Sequence, residues 1–311
     1  MVNTVLGKIQ ANDLGISLCH EHIFVGAGEL AKAFGDRYCN KDKLIELAVK
    51  QITEAKEKYG LTTFIDGTTP DLGRDVELLV QVSKKSGVHI IATTGFYYDD
   101  HSYIYGMNPT ELAKYFIHEC KYGMENTYKT KNPILPGMLK CATDSPGITE
   151  INKIALTTMA ITQRETLLPL FTHNNHIAKT ALEQLRILEK EGADLSKVIV
   201  GHISDTSDIE YIEEILKQNV FVGFDRIFCT EEQADVLCKL LDKGYGDKIL
   251  LSRDGGTFTA FGDNTFEDAI KNEENTFTTV LGRFLAMLTD RGVSEIEIDK
   301  MLRVNIEKLM K

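Results

Sequence analysis

The chain has 311 residues, 43% of them hydrophobic and 26% charged, and a formal net charge of −11 from 35 basic and 46 acidic side chains. A chain of this size can bury a large core, in one domain or two. An acidic balance without a basic cluster argues against nucleic acid or an anionic membrane surface as partner, no apolar run is long enough to span a bilayer, and an anionic substrate would need local cations.

The opening Met1-Val2-Asn3-Thr4 lacks the basic and long apolar regions of a secretory signal. The six cysteines are scattered with no CxxC pair, which reads as reduced thiols in a cytoplasmic protein. Short apolar runs then alternate with amphipathic segments. Strand-like runs fall at 16–24, 62–66, 89–96, 134–141, 167–172, 197–202, 220–225 and 248–254. One helical face is lined by Leu44, Ile45, Leu47, Ala48, Ile52 and Ala55, another by Ile177, Ala181, Leu182, Leu185 and Leu188. Helix starts are signalled at Asn108-Pro109-Thr110-Glu111, Ser207-Asp208-Ile209-Glu210 and Thr230-Glu231-Glu232-Gln233.

Eight strands alternating with helices predict an α/β fold, a (β/α)8 TIM barrel, as a single domain over 1–311. A doubly wound open sheet is the alternative, weakened in its dinucleotide-binding form by the lack of GxGxxG after the first strand. Residues before Ile16 read as a lead-in covering one barrel end. The Gly-rich, polar stretch 255–275 reads as a mobile loop over the site.

In such a barrel the carboxyl ends of the strands converge on one mouth. The first strand ends in His20-Glu21-His22. Alternation puts both imidazoles on one face, able to chelate one ion, with Glu21 pointing away. The fifth strand ends at His173, the sixth at His202 and the eighth at Asp254. Imidazole and carboxylate suit zinc and other first-row divalent ions. The fourth strand carries Lys140 in Gly137-Met138-Leu139-Lys140-Cys141-Ala142, where an unpaired ammonium would be costly. Cys19 and Cys141 adjoin these residues, but alternation points them to the opposite face.

These stretches, together with Ala92-Thr93-Thr94-Gly95-Phe96-Tyr97, Phe224-Asp225-Arg226, Ser252-Arg253-Asp254 and Met301-Leu302-Arg303-Val304-Asn305, make the chain resemble the phosphotriesterase family of the amidohydrolase superfamily, and most closely its lactonase-like members. The resemblance covers nearly the whole chain. It implies that Lys140 is carboxylated by carbon dioxide and bridges two divalent ions. His20, His22 and Asp254 would hold the more buried ion, and His173 and His202 the outer one. Zinc is the default metal, with manganese, cobalt and iron fitting the same donors. It further implies a hydroxide bridging the pair as nucleophile, Asp254 as proton acceptor, and Tyr97 and Arg226 orienting a lactone, ester or sugar lactone, phosphorylated or not. Weak phosphotriesterase activity and a homodimer follow by the same analogy.

Two other classes remain open. A mononuclear deaminase-type relative shares the histidines and aspartate but does not need the lysine. A non-catalytic scaffold would be expected to have lost a ligand position, and none of the six is missing. His176 reads as a helix-start residue, His89, His101 and His118 as structural or surface residues, and Arg253 as pointing away from Asp254 into the helices.

Overall fold

The computed structural model describes residues 1–260, 265–271 and 274–311. The amino end forms a hairpin of β1 (Val2–Thr4) and β2 (Gly7–Ile9). Then come β3 (Ile16–Val25), β4 (Leu61–Asp66), β5 (His89–Gly95), β6 (Met138–Ala142), β7 (Leu170–His173), β8 (Val198–Val200), β9 (Phe221–Phe224), β10 (Ile249–Leu251) and β11 (Gly256–Thr259). The last nine form one parallel sheet in the order β10-β9-β8-β7-β6-β5-β4-β3-β11. Helices connect the successive strands from β3 to β10, as a parallel crossover requires. Among the described residues, no helix is long and apolar enough to cross a membrane.

The nine strands make an eight-stranded TIM barrel because its last strand comes in two pieces. β10 pairs with β9 and β11 pairs with β3. Between them the chain stays against β3: Asp254 N–H donates to the His20 carbonyl at 3.2 Å, and His22 N–H to the Gly255 carbonyl at 2.8 Å. The break falls at Asp254, whose φ of 51° is left-handed and cannot continue a strand. The segment read as a loop from 255 therefore begins in the sheet and continues into a helix, Phe266–Lys271. The rest of that expectation, at 261–264 and 272–273, lies outside the described residues.

The barrel interior is filled by Cys19, Ile65, Ile91, Met138, Phe171, Ile199, Phe221 and Leu250. Val2, Ala11 and Leu14 from the lead-in, with Ile306 and Leu309 from the last helix, join the same cluster. A second cluster lies between strands and helices, and it takes in the buried face of the helix Lys41–Tyr59.

Several local expectations are corrected. Cys19 lies in the interior cluster because the β3–β4 ladder is irregular between Leu18 and Glu21, which breaks strict alternation. The predicted strand at 167–172 starts later: Leu167 caps the preceding helix with φ 59° and is 73% exposed. Ile177 precedes the helix Ala181–Lys190 and faces solvent. Asp208, not Ser207, caps the helix Ile209–Leu216.

Candidate active site

All the strand-terminal side chains meet at the carboxyl end of the barrel. On β3, His20 and His22 both face Asp254 Oδ1, with Nε2 at 3.5 Å and 3.2 Å. Lys140, on β6, extends its Nζ to 3.1 Å from His20 Nε2 and donates to the Gly67 carbonyl at 2.9 Å. His173 ends β7 and His202 follows β8, with Nδ1 of the first 2.9 Å from Nε2 of the second. Arg226 follows β9 and reaches back to donate from Nε to Asp254 Oδ2 at 2.9 Å.

Close packing here dictates small residues. A Cβ at Gly67 would sit 2.3 Å from His20 Cδ2, and one at Gly95, whose φ is 139°, would sit 1.9 Å from the Lys140 carbonyl oxygen. His202 and Asp254 also hold left-handed backbone, at φ 60° and 51°. Such conformations are costly for residues with side chains and persist where the surroundings over-determine them.

Each imidazole has one nitrogen turned to the convergence and one fixed outside it. Outside, His20 Nδ1 meets Asp225 Oδ2 at 2.9 Å and His22 Nδ1 meets the Thr68 hydroxyl at 2.7 Å. His202 Nδ1 meets Asp225 Oδ1 at 3.3 Å, and His173 Nε2 meets Asp144 Oδ2 at 3.5 Å. That division is the outer-sphere arrangement that orients histidines for a metal ion. His20, Asp254 and His22 place donor atoms within 4.8 Å of one another, as do His20, His202 and Asp225.

The electrostatics fit the same chemistry. Burial pushes the His20 and His173 imidazoles down to about 3, and His202 well below its ordinary value. They are neutral near pH 7, the form that ligates metal. Burial lowers Lys140 to about 8, against the pull of Asp254 and Asp225, so a fraction of neutral amine exists at neutral pH. Burial opposes ionisation of Asp254, but the surrounding histidines hold its carboxyl well below the usual range.

Tyr97 and Tyr98 form one wall. Their ring centroids lie 5.5 Å and 5.3 Å from that of His173, and the Tyr97 centroid is 5.7 Å from Lys140 Nζ. Burial raises the Tyr97 phenol, which keeps its proton available for donation. Arg226 also donates from Nη1 to Asp205 Oδ2 at 3.0 Å, so it spans two carboxylates. His176 lies in a turn before the helix Ala181–Lys190. Arg253 stacks over the Phe228 ring at 4.1 Å.

Sequence reasoning missed Asp225, Thr68, Asp144, Tyr98 and Glu21. Asp225 left a signal, since it sits at a strand end directly before Arg226. Glu21 does turn from the imidazoles, but it is fully buried rather than idle. It accepts from Ser252 Oγ at 2.7 Å and from the Arg253 and Gly255 amides at 2.8 Å and 2.9 Å.

Comparison with known proteins identifies the family. The model of the phosphotriesterase family matches residues 1–310. An aryldialkylphosphatase of Saccharolobus solfataricus is 34% identical over 259 residues, covering 80% of each chain. A phospho-furanose lactonase of Mycoplasmopsis synoviae is 27% identical over 334 residues, covering 99% of this chain and 90% of that protein. The solved phosphotriesterase of Mycobacterium tuberculosis superposes with a TM-score of 0.89 at 28% identity, covering 100% of this chain and 98% of that one. The chain belongs to the phosphotriesterase family and is a metal-dependent hydrolase.

Proposed function

We propose that the chain is a lactonase: it opens an uncharged lactone at a two-metal centre held by His20, His22, Lys140, His173, His202 and Asp254. The observation that carries this reading is the convergence of four imidazoles and the Asp254 carboxylate on a lysine that is 1% exposed. The donor set is nitrogen and carboxylate oxygen, which zinc and its neighbours prefer. It lacks a bridging anion. A neutral Lys140 amine would supply one by adding to carbon dioxide: the N–C bond would form, one N–H proton would leave, and the lysine would become an anionic carbamate ligand.

Two ions bound there would activate a water and polarise the acyl oxygen. The rest falls to this chain's side chains. Asp254 stands at the centre, ionised and able to accept a proton at its carboxylate. Arg226 fixes its orientation but cannot pass a proton to Asp205, because a guanidinium does not deprotonate. The proton then returns from Asp254 to the ring oxygen released when the lactone C–O bond breaks. Tyr97 donates from its phenol to the bound ester.

Arg226 also bears on substrate class. Both carboxylates it meets are already paired with it, so little positive charge is left for a phosphate group. This favours a neutral lactone over a phosphorylated one. Phosphotriester cleavage is the second reading, supported by the name of the Saccharolobus relative. A panel tests the choice: a neutral γ-lactone, a phosphorylated pentonolactone and a dialkyl aryl phosphate triester, each assayed on metal-loaded protein. The neutral lactone is expected to lead in kcat/KM by about tenfold or more. A higher value for either phosphorus compound overturns the assignment.

A further inference from the structure

Asp71 sits in the short turn Pro70–Leu72 that follows β4. Its side chain is only 4% exposed. A buried carboxylate needs compensating donors, and Asp71 finds them chiefly in the loop after β5. Oδ2 accepts the Tyr97 backbone N–H at 2.8 Å and lies 3.1 Å from His101 Nε2. Oδ1 takes the Thr69 hydroxyl. The far side of the same loop is fastened to the start of the helix Glu150–Thr166. There Asn152 Nδ2 donates to the Tyr98 carbonyl at 3.2 Å, and the Thr149 hydroxyl to Asp100 Oδ1 at 2.7 Å.

Residues 97–101 are therefore suspended between two fixed elements, with the Tyr97 and Tyr98 rings turned to His173. His101 is the outermost fastening, 24% exposed and stacked on Tyr103 with centroids 5.1 Å apart. Without it, the amide of Tyr97 would be the loop's only hold on the buried carboxylate.

We propose that Asp71 and His101 are positioning residues that set substrate fit by holding the Tyr97–Tyr98 wall against the site. The inference rests on the hydrolase reading only through the choice of assay substrate. A wall displaced by an ångström changes how a bulky ester seats while leaving the metal donors in place. The effect should therefore fall on KM for large substrates more than on kcat.

The test uses His101→Leu, which removes the donor, and His101→Gln, which restores an N–H at similar reach. Asp71 is left intact, because emptying a buried carboxylate site risks the fold. Metal content, hydrogen exchange at the Tyr97 amide, and KM and kcat are measured for a small and a bulky member of whichever ester class the wild type turns over. For His101→Leu, metal content is expected to hold. Exchange at Tyr97 should rise about tenfold, and KM for the bulky ester about tenfold, with kcat within about threefold. His101→Gln should recover both to within about threefold. Unchanged exchange, metal loss, or equal effects on both substrates with no recovery in His101→Gln would overturn the proposal. The panel decides the substrate class separately: turnover of a phosphotriester but no lactone would sink the lactone reading while still allowing this measurement.

Discussion

Asp225 and His20 are joined at 2.9 Å from Oδ2 to Nδ1, and the other oxygen of the same carboxylate serves His202, at 2.5 Å from its amide and 3.3 Å from its Nδ1. One fully buried side chain thus orients a histidine from each half of the proposed metal centre. Asp225→Asn keeps the shape and removes the charge. Metal affinity or kcat/KM is expected to fall about 10- to 100-fold. Metal titration of the purified variant checks this, and a variant with wild-type affinity and activity would contradict it.

Glu21 closes the barrel seam by accepting from Ser252, Arg253 and Gly255, on both sides of Asp254. Glu21→Gln leaves at least one of these amides facing an NH2 group. The cost is expected to be about 1–3 kcal/mol in urea unfolding. A loss of activity should accompany it, because Asp254 is the residue the seam holds. A variant as stable as the wild type would show that the seam closes without this carboxyl group.

Arg226 meets Asp254 and Asp205 through different nitrogens. A lysine carries one ammonium and cannot span both in the same geometry. Arg226→Lys is expected to lower kcat/KM about tenfold, and Arg226→Met more, by leaving two carboxylates without their shared cation. If Arg226→Met instead matches the wild type, the orienting role is lost.

Acid should destabilise the metal-free protein. His20, His173 and His202 have folded pKa values below the ordinary 6.5, so the unfolded chain binds protons first as pH falls below 6.5. Each then costs at most about 1.4 kcal/mol per pH unit. Glu21, raised by burial to about 8, shifts stability the opposite way over the same range and offsets one of the three. Because an unfolded imidazole is only half protonated at pH 6.5, each costs about 1 kcal/mol over the next unit. The net expectation is a loss of about 1–2 kcal/mol between pH 6.5 and 5.5, read by urea unfolding after chelation. A flat or rising stability would mean these imidazoles are not buried and neutral.

Much of this site was legible because barrel geometry turns strand ends into a shared address. His20, His22, Lys140, His173, His202 and Asp254 each sit where an apolar run stops, and the structure brings all six together. What hid was set by tertiary contact. Gly255-Gly256 reads as loop sequence, yet the pair continues the last strand once β3 is alongside. Cys19 obeys a ladder irregularity that no periodicity records. Asp225 and Asp71 look like ordinary strand-end and turn carboxylates until their donors arrive from distant segments.

The proposed centre depends on Lys140 being an anion shared by two ions. Anomalous diffraction from crystals of metal-loaded protein grown with bicarbonate tests that directly. Two metal peaks should appear, one beside His20, His22 and Asp254 and one beside His173 and His202, with planar density on Lys140 Nζ reaching both. A bare Nζ, or a single peak that leaves His173 and His202 without a metal, would contradict it.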